Sequence, residues 1–288
     1  MKRLGAVILL VSMALSFSAC SGSQPNEVKL NSKYFPDKKF REVVRPFDTD
    51  NDGILTKDER LNIKQLSVSE VNDLTGMELF TNLEELYIEF YLGPDIKFSV
   101  FPKLKTLIIR GYNPITKIDL SRNLYLETFY YYDNNRRSLK ELVLPSSRSI
   151  RSLRVDEVGF KQLDLSGYKY LNDITMGFGY IETLILSNCP SLTKIDCSTN
   201  ALTVLEIRNC PNLKELHCYD NQIASLNVKG FANLETLVAH KNNLQTVNVT
   251  DCPMLSNIKL DENVKMIDDN PAPPTVLPSS EATAATEE

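Results

Sequence analysis

Apolar residues recur along this chain with a period of 21 residues, most regularly between residues 192 and 260. Each copy begins with a leucine, and apolar residues follow three and five positions later with polar residues between them. These copies begin at Leu192, Leu213, Leu234 and Leu255. A fixed period in this range is typical of a solenoid, in which each repeat forms one coil of a stack.

Within one copy, the alternation predicts a strand with one buried face. In the copy that begins at Leu213, we expect Leu216 and Cys218 to point inward and their polar neighbours to point outward. A second apolar pair, Leu226 and Val228, predicts another extended segment on the opposite side of the coil. Because one coil cannot bury its interior alone, the copies should stack with parallel strands around a continuous core.

An asparagine stands eight residues after the start of each of these copies. The four residues are Asn200, Asn221, Asn242 and Asn263. A short amide side chain can bond backbone groups where the chain turns and no strand partner is present. We therefore expect the stacked asparagines to form a ladder along one edge of the solenoid.

The same apolar pattern extends back towards the N-terminus. Earlier copies begin at Ile63, Leu83, Leu104, Leu126, Ile150 and Leu171. Most are 21 or 22 residues long, and the copy that begins at Leu126 has 24 residues. The total is about ten coils over residues 63–267, which would stack to a length of roughly 45–50 Å at the spacing of parallel strands.

The string Leu213-x-x-Leu216-x-Cys218-x-x-Asn221-x-Ile223 resembles the leucine-rich repeat. With its second apolar segment, the chain is similar to the 21-residue class of leucine-rich repeats in bacterial surface proteins. The resemblance covers about two thirds of the chain. It implies an α/β leucine-rich-repeat solenoid with parallel β-ladders, and a rigid face that binds a protein or, less commonly, a glycan.

The N-terminus has the pattern of an export signal. Lys2 and Arg3 precede an apolar run that ends near Cys20, so residues 1–19 are interpreted as a signal peptide. The residues around Cys20 resemble a bacterial lipoprotein cleavage site, with residues 20–33 as a polar tether. Acylation of Cys20 would anchor the protein to the cell envelope, at the outer membrane or the cell surface. Ordinary secretion with cleavage near Ala19 is the alternative.

Residues 34–62 contain an acidic loop with the spacing of a calcium site. Aspartates alternate before Gly53, and a glutamate stands at the twelfth position, which resembles the EF-hand loop. The resemblance implies six ligand positions, at Asp48, Asp50, Asp52, Ile54 (carbonyl), Thr56 (through water) and Glu59. An acidic turn without calcium is the alternative.

Short helices are expected on both sides of this loop. Pro36 would begin the first helix, Pro46 would end it, and the second would run from about Thr56 to Asn62. No second loop of this kind is visible, so the calcium would be structural and weakly bound, on the order of 10⁻⁴–10⁻³ M. This helix–loop–helix would cap the first coil. Residues 268–288, rich in Pro, Ala and Glu, are expected to be a disordered tail.

Charge and the remaining reactive residues narrow the partner class. The formal net charge is −5, and loss of residues 1–19 would remove two positive charges, which argues against nucleic acid. Cys189, Cys197, Cys210, Cys218 and Cys252 fall at repeat positions and are interpreted as free core thiols rather than disulfides. His217 and His240, near Asp196 and Glu215, are interpreted as surface residues, with a transition-metal site as the alternative.

Outward strand positions in the N-terminal half carry an unusual set of side chains. They are Tyr87, Ile108, Arg110, Tyr130, Tyr132 and Arg154. Tyr and Arg are enriched in binding hot spots, so this set predicts a protein-binding face, although packing between neighbouring strands is the alternative. No nucleophile–base pair or converging carboxylates stand out, which argues against an enzyme. A carbohydrate-active enzyme or glycan-binding protein on a parallel solenoid is the rival interpretation, and an inert envelope spacer is a third.

Overall fold

The computed structural model describes residues 25–134 and 137–268. Their strands are β1 Glu27–Lys29, β2 Ile54–Thr56, β3 Gln65–Ser69, β4 Glu85–Glu89, β5 Thr106–Arg110, β6 Lys117–Asp119, β7 Thr128–Tyr132, β8 Glu141–Val143, β9 Ser152–Asp156, β10 Gln162–Asp164, β11 Asp173–Thr175, β12 Thr183–Ser187, β13 Lys194–Asp196, β14 Val204–Arg208, β15 Glu215–His217, β16 Leu226–Asn227, β17 Thr236–Val238, β18 Thr246–Asn248, β19 Asn257–Lys259 and β20 Lys265–Ile267. The helices are α1 Lys38–Val44 and α2 Lys57–Asn62, with 3₁₀ turns at Arg45–Phe47, Met77–Leu79 and Phe98–Val100.

One strand from each coil joins a ten-stranded parallel sheet, which we call the front sheet. Its order is β19-β17-β15-β13-β11-β9-β7-β5-β4-β3. Pairing follows the repeat, so Ile195 lies beside Leu216 and Leu216 beside Leu237. The predicted parallel solenoid of about ten coils is confirmed. Within residues 25–134 and 137–268, helices occur only in the N-terminal segment and as single 3₁₀ turns.

The second side of each coil is extended, as predicted, but its pairing is discontinuous. The strands there form three separate sheets, β6-β8, β10-β12-β14 and β16-β18-β20, in the described part of the chain. Between the two sides lies one continuous apolar core, and the residue that begins each of the ten copies is buried in it. Inward positions such as Leu216, Cys218 and Val228 are fully buried.

The asparagine ladder forms at three of its four predicted positions through backbone contacts between coils, whereas Asn263 is exposed. Asn221 Nδ2 donates to the carbonyl of Cys197 at 3.0 Å and to that of Cys218 at 3.1 Å, while its Oδ1 accepts from the amide of Leu202 at 2.9 Å. Asn200 and Asn242 make equivalent bonds in the adjacent coils. Each amide therefore supplies partners for backbone groups that the strands leave unpaired.

The N-terminal segment covers the first coil through three buried phenylalanines. Phe35 stacks on Phe80 with ring centroids 6.2 Å apart, and Phe40 meets both rings edge-on at 5.9 and 6.5 Å. Gly76 permits this approach because it has a φ of +98° and a Cβ there would lie 2.5 Å from the Phe35 ring. The end of the core is thus closed by aromatic packing.

Two sequence-based boundaries at this end were wrong. Pro36 precedes the first helix, whose N-cap is Asp37, because the Asp37 carboxylate accepts the amide of Phe40 at 3.0 Å. The proposed tether, residues 20–33, is partly structured, since β1 pairs antiparallel with β2 and buries Val28. The buried Arg60 donates to the carbonyl of Pro25 and secures the chain just before β1.

All five described cysteines are buried free thiols, as predicted. Burial raises the pKa of Cys197 well above its ordinary value and that of Cys218 to about 12. We therefore expect a disulfide-exchanging thiol reagent to react with them at least about a hundredfold more slowly in the native protein than in denaturant, because reaction requires local opening. Thiol counts over time by absorbance would check this, and rapid native labelling would contradict it.

The predictions for Cys20, for residues 1–19 and for the tail from residue 269 onward concern residues outside the described ranges. Among the described residues, neither helix has the length or apolar content needed to cross a bilayer.

Candidate functional site

The predicted face assembles on four neighbouring strands of the front sheet. Tyr87 on β4 lies beside Ile108 on β5, Ile108 beside Tyr130 on β7, and Tyr130 beside Arg154 on β9. Tyr87, Ile108 and Tyr130 are half-buried, and Arg154 is exposed. Strand alternation places all four on the side away from the core, so the sequence correctly predicted an unbroken row, which we call the aromatic row.

The tyrosine hydroxyls of this row are held by neighbouring strand residues. Tyr87 Oη donates to Glu85 Oε2 at 2.9 Å, and this bond, followed by burial, raises the pKa of Tyr87. Tyr130 Oη and Ser152 Oγ are 3.0 Å apart, and Ser152 Oγ donates to Asp173 Oδ2 at 2.6 Å. The tyrosines thus do contact neighbouring residues of the sheet. These contacts fix the orientation of the rings without burying them completely.

The two predicted arginines are each neutralised within the chain. Arg110 Nε contacts Glu89 Oε1 on the adjacent strand, and Arg154 Nε lies 2.5 Å from Asp156 Oδ2. The last predicted member, Tyr132, is 38% exposed and lies in register with Asp156. The face is therefore a half-exposed aromatic and aliphatic row bordered by internally paired charges.

The same row changes character in the C-terminal half of the front sheet. Asp196, His217, Val238 and Lys259 occupy its positions on β13, β15, β17 and β19. His240 stacks on Tyr219 at 5.1 Å, and burial lowers the pKa of His240. The histidines do not gather with acidic neighbours at metal-ligand spacing, because among described residues only Asp48, Asp50 and Asp52 do so.

The acidic loop brings together three of its six predicted ligand residues. Single carboxylate oxygens of Asp48, Asp50 and Asp52 all lie within 4.8 Å of one another. Asp48 is buried, and its Oδ2 accepts the amide of Gly53 at 2.9 Å, which fixes the turn. Ile54 belongs to β2 and Thr56 is the N-cap of α2.

Glu59, the predicted bidentate ligand, makes other bonds in this structure. Its Oε1 accepts the amide and hydroxyl of Thr49, both at 2.7 Å, and its Oε2 accepts the amide and hydroxyl of Thr56, both at 2.9 Å. Burial opposes the ionised form, but these bonds prevail and lower the pKa of Glu59 to about 2. Glu59 thus joins the loop to the start of α2 as a capping box.

The sequence did not predict one cluster of side chains next to the aromatic row. Three buried carboxylates lie at the ends of β7 and β9: Asp133 directly follows β7, Asp156 is the last residue of β9, and Glu157 directly follows it. Beyond them, Phe178 and Tyr180 are 56% and 49% exposed. The consecutive acidic residues at the end of a strand were the available sign, but only the register between coils brings them beside Asp133.

Comparison with known proteins identifies the fold. No protein-family description matches the chain, and no curated protein matches it. Internalin C2 of Listeria monocytogenes is similar in structure with a TM-score of 0.52 and 18% identity, over 85% of this chain and 100% of that one. YopM of Yersinia enterocolitica gives 0.53 and 22%, over 74% of this chain and 44% of that one.

A functional domain of InlJ from Listeria monocytogenes gives a TM-score of 0.48 and 17% identity, over 82% of this chain and 62% of that domain. The chain therefore spans less than half of the YopM structure and under two thirds of the InlJ structure. The likenesses to internalin C2 and YopM establish a solenoid of the leucine-rich-repeat type, with bacterial leucine-rich-repeat proteins as structural neighbours.

Proposed function

We propose that this protein is a recognition module of the cell envelope that binds a protein partner through the front sheet. The observation that carries the proposal is the aromatic row, in which Tyr87, Ile108 and Tyr130 lie side by side on three adjacent strands. Tyrosines whose hydroxyls are already bonded present rigid rings, so little side-chain entropy is lost on binding.

The chemistry of the face favours a protein over other partners. A half-exposed isoleucine between two tyrosines offers apolar contact area, and Tyr and Arg are enriched in hot spots. Because Arg110 and Arg154 are paired with Glu89 and Asp156, the face has no free basic row for a polyanion, in keeping with the net charge of −5. A solenoid also provides an extended rigid surface.

Replacement of Tyr87, Tyr130 and Tyr132 by Ala is expected to reduce partner capture tenfold or more. The variant loses the rings that make the contact, whereas its melting temperature should fall by only a few degrees, since each cross-strand pair contributes about 0.2–1 kcal/mol. The measurement is quantitative affinity capture from host and bacterial lysates, followed by circular dichroism melting of each variant.

The matched control changes the same repeat position in the C-terminal half. Replacement of Asp196, His217 and Val238 by Ala should leave capture unchanged. Equal losses in both variants, or none in the tyrosine variant, would show that binding does not depend on the aromatic row.

We further propose that the acidic loop binds calcium and rigidifies the cap. Three carboxylates held within 4.8 Å of one another repel, and a divalent cation would relieve that repulsion. Carboxylate and carbonyl oxygens are the donors that Ca²⁺ prefers, and Asp48, Asp50, Asp52, the carbonyl of Ile54 and Glu59 supply them. Glu59 is the residue whose bonds would have to change, because both its oxygens accept hydrogen bonds from threonines.

The anchor completes the proposal. Acylation at Cys20 would hold the protein at the outer membrane or the cell surface through lipid alone. Strand β1 begins at Glu27, close to Cys20 in the sequence, so the anchor would be close to the cap and the cap would face the membrane. The front sheet would then extend away from the lipid.

A further inference from the structure

Glu157 is a buried carboxylate that forms no salt bridge with any described residue. It follows β9 directly and is 8% exposed. No group in the described ranges lies within hydrogen-bonding distance of its Oε2. An unpaired buried charge is costly, and each one that a native structure retains requires an explanation, of which a functional role is one.

Asp133 adds a second such oxygen in the preceding coil. Tyr132 and Asp156 are in register, so Asp133 and Glu157, the residues that follow them, occupy equivalent positions in adjacent coils. Asp133 is fully buried, and its Oδ2 accepts the amide of Ser138 at 2.5 Å, whereas its Oδ1 has no partner among residues 25–134 and 137–268. Burial raises the pKa of both carboxyls, and electrostatic repulsion from Asp133 raises the pKa of Glu157 further.

The nearby cations are engaged elsewhere. Arg154 Nε is 2.5 Å from Asp156 Oδ2. Arg137 Nε donates to the carbonyl of Phe178 at 3.1 Å, and its guanidinium lies 4.5 Å from the centre of the Tyr180 ring. Arg137 attracts Glu157 electrostatically but forms no ion pair with it. The three carboxylates of Asp133, Asp156 and Glu157 thus have two cations near them, Arg137 and Arg154. Arg154 pairs with Asp156, so the excess negative charge lies on Glu157 and Asp133.

Exposed aromatic rings border this acidic position. The amide of Glu157 donates to the carbonyl of Gly177 at 2.8 Å, which places Phe178 at the equivalent position of the next coil. Tyr132, at the end of β7, borders it on the other side. Aromatic faces beside a carboxylate are suited to organic cations, which gain from cation–π attraction as well as ion pairing.

We propose that Glu157, backed by Asp133 and bordered by Tyr132 and Phe178, receives a lysine or arginine side chain of the protein partner. This inference rests on the proposed function and specifies one anchor of it. The site is continuous with the aromatic row, because Asp156 bonds to Arg154, the last member of that row. A bare metal ion fits less well, since these three carboxylates are not gathered at metal-ligand spacing in the described chain.

The test uses small probes and the isotopically labelled protein. N-acetyl-lysine methylamide is titrated while the amide resonances of Tyr132, Glu157 and Phe178 are followed by NMR, and N-acetyl-norleucine methylamide serves as the uncharged probe. We expect saturable shifts with the lysine probe, at least tenfold weaker binding of the norleucine probe, and loss of the lysine response in Glu157→Gln. The control Glu182→Gln, at an exposed pair with Lys161, should respond like the parent.

Stability provides a readout that a merely structural glutamate would not give. Glu157→Gln removes an uncompensated buried charge, so we expect its melting temperature to rise by about 2–4 °C in the absence of any partner. A lower melting temperature, or equal binding of the two probes, overturns the proposal. It is also overturned if calcium chloride alone moves these resonances and the lysine probe does not.

Failure of this inference is distinguishable from failure of the proposed function. The variant with Ala at Tyr87 and Tyr130 leaves Glu157 in place, so it should lose partner capture and keep the response to the lysine probe. Glu157→Gln should keep the aromatic row and lose the lysine response. Loss of both properties in both variants would mean that the two positions are not separate contacts, which overturns the inference.

Discussion

Asn221→Ala is expected to lower the free energy of unfolding by about 3 kcal/mol. The 9% exposed Asn221 side chain accepts from the amide of Leu202 and donates to the carbonyls of Cys197, Cys218 and Tyr219. An alanine leaves that amide unpaired inside the solenoid and removes one of the bonds that each carbonyl accepts. Each unsatisfied buried group costs about 1–3 kcal/mol, with partial relaxation towards water at the edge. Urea denaturation monitored by circular dichroism measures the loss.

Asn243 gives the comparison for this prediction. It directly follows Asn242, is exposed, and its side chain makes one long contact, 3.4 Å from its Nδ2 to the carbonyl of Gln222. Asn243→Ala should therefore change stability by no more than about 0.5 kcal/mol. Similar losses for Asn221→Ala and Asn243→Ala would mean that the ladder is incidental to the fold.

Calcium is expected to stabilise the protein by about 1.4–2.7 kcal/mol at 10 mM, if the dissociation constant is on the order of 10⁻⁴–10⁻³ M. The gain would arise because the cation would bind the folded loop, in which Asp48, Asp50 and Asp52 are already close, and not the unfolded chain. Thermal unfolding with calcium chloride, and again after excess chelator, measures the difference.

Two controls separate calcium binding from a general salt effect. Magnesium chloride at the same concentration should stabilise less, because Mg²⁺ requires a tighter octahedral shell and keeps its waters. Asp50→Asn removes one charge from the loop at an exposed position and should reduce the calcium effect. An equal response to both metals in both proteins would argue against a specific site.

The sequence predicts the solenoid well because the same apolar pattern recurs in about ten copies. A single copy such as residues 213–233 does not decide between a strand and a helix. The copies before and after it resolve the choice, because they share one period and one register. The aromatic row followed from the same reasoning, since once the period is known, Tyr87, Ile108 and Tyr130 must fall beside one another. Repetition thus turns weak local preferences into a definite arrangement.

The features that the sequence did not predict depend on contacts made once. Strand β1 has three residues, too few to show an alternating pattern, and its partner β2 is far away in the chain. Asp133 and Glu157 lie at equivalent positions only because the 24-residue copy returns to the strand register of the next coil. The EF-hand motif also does not predict the bonds of Glu59 to Thr49 and Thr56. A motif specifies residue types, but it does not specify which donors the carboxylate binds.

Strand pairing on the second side stops between β8 and β10 and again between β14 and β16, while the front sheet continues past both gaps. We expect the coils from β6 to β20 to bend more easily at these two planes than where strands pair on both sides. The first plane passes between Tyr130 and Arg154, which neighbour each other across it. A ligand that binds both residues would fix the angle between the coils on the two sides of this plane. Ligand binding would therefore make the solenoid more rigid.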